Sequence, residues 1–119
     1  MNVRRGDLVL VDLDPTKGDE IQKTRPAVVI QNDVGNEHST ITIVAPVTST
    51  YRGYPFEVEL EAHDEDVEKD SSVLLDQIRT ISIEHRVLQK LGRISGAKMR
   101  EIDEAIKLSL GIDSARASK

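Results

Sequence analysis

Phe56-Glu57-Val58-Glu59-Leu60-Glu61 alternates an apolar residue with an acid at every step. That period of two marks a strand with one face in a core and the other in water. Working back toward the N-terminus, Thr40–Val47 is mostly β-branched and reads as another strand. Ala27–Gln31 reads as a third, with Pro26 tolerated at its first position. Asp7–Asp12 (DLVLVD) is a short apolar run between acids, the pattern of a buried strand. Toward the C-terminus, Ser72–Leu75 and Gln77–Ser82 read as two strands joined by a bend at Asp76, and Leu91–Ile94 as one more. Asp14–Asp19 and Asn32–Asn36 are dense in turn residues and read as loops. Glu84–Lys90 reads as a short helical turn.

One longer helix closes the pattern. It begins at Ser95 or Gly96, and Gly111 stands where a C-terminal cap belongs. Met99, Ile102, Ile106 and Ser109/Leu110 follow helical spacing, with Ala105 and Leu108 beside the stripe and Glu101, Asp103, Glu104 and Lys107 facing outward. Many short strands followed by one helix predict a mainly β domain with a C-terminal α-helix, a small barrel under a covering helix. The chain has 119 residues, the size of one domain, expected to span residues 1–112. The tail Asp113–Lys119 has almost nothing to bury and is expected to be disordered.

There are no cysteines, which excludes a disulfide framework and a thiolate zinc site. Met1-Asn2-Val3-Arg4-Arg5-Gly6 lacks the apolar segment of a signal peptide, and no apolar run approaches the length of a membrane span. The expected location is the cytoplasm, with no membrane partner. The net charge of −5 is unevenly spread. Residues 57–70 hold one lysine against eight acids, whereas residues 71–119 hold nine bases against six acids. The acidity is local, so the chain permits RNA binding without demanding it.

Several chemistries are excluded or weakened. No HExxH, Walker loop or GxSxG is present. His38, His63 and His85 are far apart in polar context and read as surface residues. The acidic run His63–Asp70 lacks the glycine that a calcium loop needs for its sharp turn, and reads as a solvated loop. No metal site or cofactor is expected.

The positive case rests on two polar clusters that abut strands. The first includes Lys17, Gly18, Glu20 and Arg25; the second is Thr48-Ser49-Thr50. RNA carries its own nucleophile, the 2′-hydroxyl. A site that cuts it needs a base, a stabiliser for the charged transition state and a proton for the leaving 5′-oxygen. Arg25 offers a planar fork of donors to phosphate and is a poor base. Thr48 offers a hydroxyl to the same phosphate, and Glu20 is a candidate base. Each also has a plain structural reading: a surface ion pair, a strand residue and a solvated loop acid.

The chain closely resembles the MazF/PemK family of toxin endoribonucleases from toxin–antitoxin modules. The matching words are Arg5-Gly6-Asp7; Asp14-Pro15-Thr16-Lys17-Gly18 with Glu20; Arg25-Pro26-Ala27-Val28-Val29-Ile30; Pro46-Val47-Thr48; Gly53-Tyr54-Pro55-Phe56-Glu57-Val58; and Asp76-Gln77-Ile78-Arg79-Thr80-Ile81. They occur in the family's order across roughly residues 4–112. The resemblance implies an SH3-like β-barrel of the MazF/CcdB type acting as a homodimer. It implies metal-independent, sequence-selective cleavage of single-stranded RNA, including mRNA, to 2′,3′-cyclic phosphate and 5′-hydroxyl ends. It puts the catalytic arginine on Arg25, the threonine on Thr48 and, in some members, a glutamate on Glu20. It also implies a cognate MazE/PemI-like antitoxin with an acidic tail.

Gln77 falls on a position associated with RNA contact in the family. Lys17 and Ser49, beside Gly18 and Thr48, join it as candidates. Gly18 and Gly53 are expected at positive φ, and Gly18 would also admit RNA backbone. Tyr54 and Phe56 share a strand face, where they either stack on unpaired bases or pack in the core. Arg79 meets phosphate or pairs with an acid such as Asp76. Asn32 meets a base edge or shapes its turn. The main alternative keeps the fold and drops the catalysis: a barrel that acts by binding protein, as gyrase-poisoning toxins of this architecture do.

Overall fold

The computed structural model of the chain describes residues 1–21, 23–50 and 52–112; the expectation for the tail falls outside them. Seven strands and three helices follow in the order β1 (Asp7–Asp12), β2 (Thr24–Val29), α1 (Asp33–His38), β3 (Ile41–Thr48), β4 (Glu57–Leu60), β5 (Ser71–Leu74), β6 (Arg79–Ser82), α2 (Ile83–Arg86), β7 (Val87–Arg93) and α3 (Gly96–Leu110). The fold is mainly β with a C-terminal helix, as the pattern of the sequence predicts. Among the described residues the strand order is β4-β5-β3-β2-β1-β7, with β6 also paired to β3 and each of these pairs antiparallel. β4 and β7 are the two ends of this order, so the described sheet is curved but not closed.

β1, β2 and β3 carry core on both faces, which explains their nearly continuous apolar runs. On one face Leu8, Val28, Ile30, Ala45 and Val47 pack with Val58, Leu60, Val73 and Leu75, under Ile102 and Ala105 of α3. On the other, Val9, Val11, Leu13, Ala27, Val29 and Val44 pack with Val3, Ile81 and Val87. β4 shows the expected alternation, with Val58 and Leu60 buried and Glu59 exposed.

β3 changes partner along its length. It pairs with β6 from Ile41 to Val44 and with β5 at Val47 and Thr48. Pro46 stands between the two ladders, where its missing N–H costs no sheet hydrogen bond on that side. Pro26 is inside β2, opposite Leu10, because the strand starts at Thr24 and not after the proline. Lys23, just before it, holds a positive φ of 77°. Its N–H donates to the Asp14 carboxylate at 3.0 Å, and its carbonyl accepts from Leu13 N–H at 3.2 Å. Those two bonds fix where β2, and with it Arg25, begins.

Three local features differ from the sequence reading. Asn32–Asn36 is the cap and body of α1, not a bare turn. Asn32 Oδ1 accepts from Gly35 N–H at 2.8 Å, as an N-cap does. Strand β7 starts at Val87, so the helical turn expected over Glu84–Lys90 is confined to α2. The acidic run is only partly solvated. Glu65 is 9% exposed and accepts both the N–H and the hydroxyl of Ser95, the residue that caps α3. Asp66 lies so close to Gly92 that a Cβ there would sit 2.3 Å from its Oδ2.

Asp33 gives a test of α1. Its carboxylate accepts the N–H of Arg5 at 2.6 Å and the carboxamide of Asn36 at 3.1 Å. The Arg5 bond first, and the Asn36 bond second, hold its pKa below the usual 3.8. A depressed carboxyl pKa contributes stability above the unfolded value, and that contribution is lost as pH falls through the folded one. Asp33→Asn is therefore expected to lower the Tm at neutral pH. Paired melts over an acid series should show the gap to wild type closing below 3.8.

Candidate functional site

Arg25 and Thr48 come together through the β2–β3 register. The paired residues are Ala27 with Pro46, Val28 with Ala45 and Val29 with Val44. Carried two residues outward, the same register sets Arg25 across from Thr48. Both line one concavity of about 500 Å³, with Ser49, Leu8, Pro26 and Val47. The chain from Asp66 to Lys69 forms another part of its wall. The lining thus holds Arg25 and Lys69 against Asp66 and Glu68. Arg25 is half-buried, and the Thr48 hydroxyl oxygen accepts from Thr50 N–H at 3.2 Å, forming a local turn that presents Ser49.

Glu20 is not part of that wall. It lines a second concavity of about 640 Å³ with Asp19, Ile21, Gln77 and Arg79. Glu20 is exposed, and its carboxylate accepts Lys17 N–H at 3.1 Å while its own N–H donates to the Lys17 carbonyl at 3.2 Å. Gly18 sits inside this turn with a φ of 59° and no atom within 4 Å of where a Cβ would project. Its positive φ is as expected, and so is that of Gly53, at 78°. Lys17 is exposed on the same loop.

Other candidates are tied into the protein. Gln77 Oε1 accepts Ile21 N–H at 2.6 Å, which docks the loop that carries Glu20. Arg79 Nη1 donates to the Leu13 carbonyl at 3.0 Å and not to Asp76. Asn32 lines neither concavity. Tyr54 and Phe56 precede β4 in a turn instead of sharing its face. Their rings stack at 5.2 Å and 14° from parallel. Tyr54 is 50% exposed.

Sequence reasoning missed Arg52. Its side chain bonds Glu57 and, at 2.9 Å, Asp76, and its guanidinium stands 4.9 Å above the Tyr54 ring. Burial works against the charged arginine, but the bonds to Glu57 and Asp76 outweigh it and hold its pKa above the ordinary range. The only signal in the sequence is an arginine beside the Gly53–Val58 word.

The geometry therefore places an arginine and a threonine, from adjacent strands, on one concave wall. Residues 4–110 match the family of PemK-like, MazF-like toxins of type II toxin–antitoxin systems. The chain belongs to that family. It is 43% identical over 119 residues to the Endoribonuclease MazF of Staphylococcus saprophyticus, with 98% of each chain covered. It is similar to the crystal structure of MazF (Form-I) from Deinococcus radiodurans, with a TM-score of 0.82 at 30% identity over 93% of this chain and 98% of that one. A MazE–MazF structure (Form-II) from the same organism gives 0.77 at 30% identity, covering 95% and 99%. No helix of the described residues is long and apolar enough to cross a membrane.

Proposed function

We propose that the chain is the endoribonuclease toxin of a toxin–antitoxin pair, cutting single-stranded RNA, mRNA included, in a sequence-selective way. The observation that carries this reading is the shared concavity of Arg25 and Thr48, which family membership supports. The 2′-oxygen attacks the adjacent phosphorus, the bond from phosphorus to the 5′-oxygen breaks, and a 2′,3′-cyclic phosphate and a 5′-hydroxyl result. The 2′-hydroxyl proton passes to a base and a proton is delivered to the leaving 5′-oxygen. Arg25 holds the non-bridging oxygens as their charge rises, and Thr48 donates its hydroxyl to the same phosphate. No step needs a metal ion, because the nucleophile is part of the substrate. Glu20 is the candidate base, reaching the substrate from the neighbouring concavity.

The relatives support two partners. A MazF of Deinococcus radiodurans is seen together with MazE, so a cognate antitoxin is proposed for this chain. A homodimer is proposed as well, acting in the cytoplasm. Leu88 and Leu91 on the end strand β7, and Leu108 and Leu110 on α3, are exposed apolar surface for a second copy.

The test is incubation with a long single-stranded RNA in excess EDTA, followed by identification of the ends. Discrete fragments with cyclic phosphate termini are expected. Intact RNA would overturn the reading, and intact RNA with inhibited gyrase would point to the protein-binding alternative.

A further inference from the structure

Between Thr48 and Glu57 the chain leaves the Arg25 concavity and returns as β4. Arg52 is its main anchor. The Glu57 side chain is only 2% exposed, and its Oε2 is bonded by Arg52 while Oε1 has no hydrogen-bond partner. The arginine thus provides the described cation for a carboxylate withdrawn from water. Its other arm reaches Asp76, the residue before Gln77. Gln77 in turn holds Ile21, next to Glu20. Side-chain bonds thus run from Glu57 through Arg52 to Asp76 and, one residue on, from Gln77 to Ile21, while β5 joins this series to Thr48 through the Leu74–Glu57 and Ser72–Thr48 pairs.

The two concavities differ in charge. The first balances Arg25 and Lys69 against Asp66 and Glu68, and its Arg25 suits a phosphate. The second is lined by Asp19, Glu20 and Asp76 against Arg79 alone, and Arg79 is already committed in part to Leu13. Phosphate is repelled there, whereas carboxylate and carboxamide oxygens accept N–H groups from base edges. Thr48 pairs with Ser72 on β5, four residues before Asp76. Adding about 5 Å between the paired strands to about 13 Å along four residues, the two rims are at most roughly 18 Å apart, a span of a few nucleotides.

We propose that Arg52 is a positioning residue that holds the two rims in one register, so that an RNA strand bound by its phosphate at Arg25 presents a flanking base to the Glu20–Gln77 concavity. This rests on the endoribonuclease reading above. Arg52 itself touches no reacting atom. It acts through the pairing of β4 with β5, and of β5 with Thr48, on one side and through the Asp76–Gln77 turn on the other. Lysine is no substitute, since one ammonium lacks the fork that spans Glu57 and Asp76.

The test compares wild type with Arg52→Lys, which keeps a charge near Glu57, and Arg52→Gln, which keeps a planar polar group without the charge, with a thermal melt to show that both fold. Two quantities are read: kcat and KM on a long single-stranded RNA, and the Kd for the same RNA with a 2′-deoxy substitution at the cut site. Both variants are expected to raise KM and Kd by at least ~10-fold while kcat falls by a smaller factor, the pattern of binding lost ahead of chemistry. Selectivity at bases flanking the cut is expected to relax. Variants that bind the 2′-deoxy RNA as tightly as wild type, or that lose kcat at unchanged KM, overturn the role of Arg52 while the nuclease reading stands. A wild-type protein that neither binds nor cuts RNA overturns both.

Discussion

Arg25→Ala is expected to lower the rate of RNA cleavage by at least ~100-fold, the loss seen when a donor aimed at developing transition-state charge is removed. No other side chain of the first concavity combines a fixed charge with a planar pair of donors. Lys69 carries a charge, but it is exposed and lies on the loop between β4 and β5, whereas Arg25 sits on β2 with its backbone paired to Val11. A flexible ammonium in water cannot replace an arginine on a strand. Thr48→Ala should weaken cleavage less, or comparably, because it removes one neutral hydroxyl from the same phosphate. Both rates are read on single-stranded RNA in excess EDTA, with a thermal melt to show that the variants fold. An Arg25→Ala protein cutting at the wild-type rate would remove the phosphate-holding role.

Ile102→Ala is expected to be the most damaging of the helix substitutions. Ile102 is fully buried, packed with Leu8, Val28, Leu60 and Leu75 where α3 meets the sheet. Truncation there loses the transfer energy of the missing carbons and leaves a cavity that the surrounding side chains fill only in part. The expected cost is about 2–5 kcal/mol, read as a shift of the urea midpoint at unchanged slope. Leu108→Ala is the control. Leu108 is 62% exposed, and its loss should change monomer stability by no more than about 0.5 kcal/mol. Equal effects from the two would mean that α3 does not dock as described.

The elements legible in the sequence are those whose pattern is local. Phe56–Glu61 alternates because only one face of β4 is buried. Helix α3 announces itself through its stripe and through the Ser95 and Gly111 caps, and all three are found in place. α1 is not legible by periodicity, since six residues make fewer than two turns; only the asparagine cap betrays it. The first half of β7 carries exposed Leu88, Gln89 and Lys90, so no alternation marks it. The burial of Glu65 is invisible because the donors it satisfies, at the start of α3, lie thirty residues away.

The candidate site divides the same way. Arg25 and Thr48 are legible as residue types beside strands, but their proximity is a property of register and not of spacing. That Glu20 faces a different concavity depends on how Gln77 docks its loop, and nothing near Glu20 in the sequence says so. Arg52 escapes notice because Asp76, which joins it to the Gln77 turn, lies twenty-four residues away, and nothing near Arg52 points to it.

The position of Pro46 has one more consequence. Arg25 belongs to the half of the sheet built from β1, β2 and β7, and Thr48 to the half shared with β4 and β5. The proline marks the crease between the halves. Under the proposed function, the spacing of guanidinium and hydroxyl is therefore set by strand register, and a slip of β2 against β3 would part them while both side chains stayed the same.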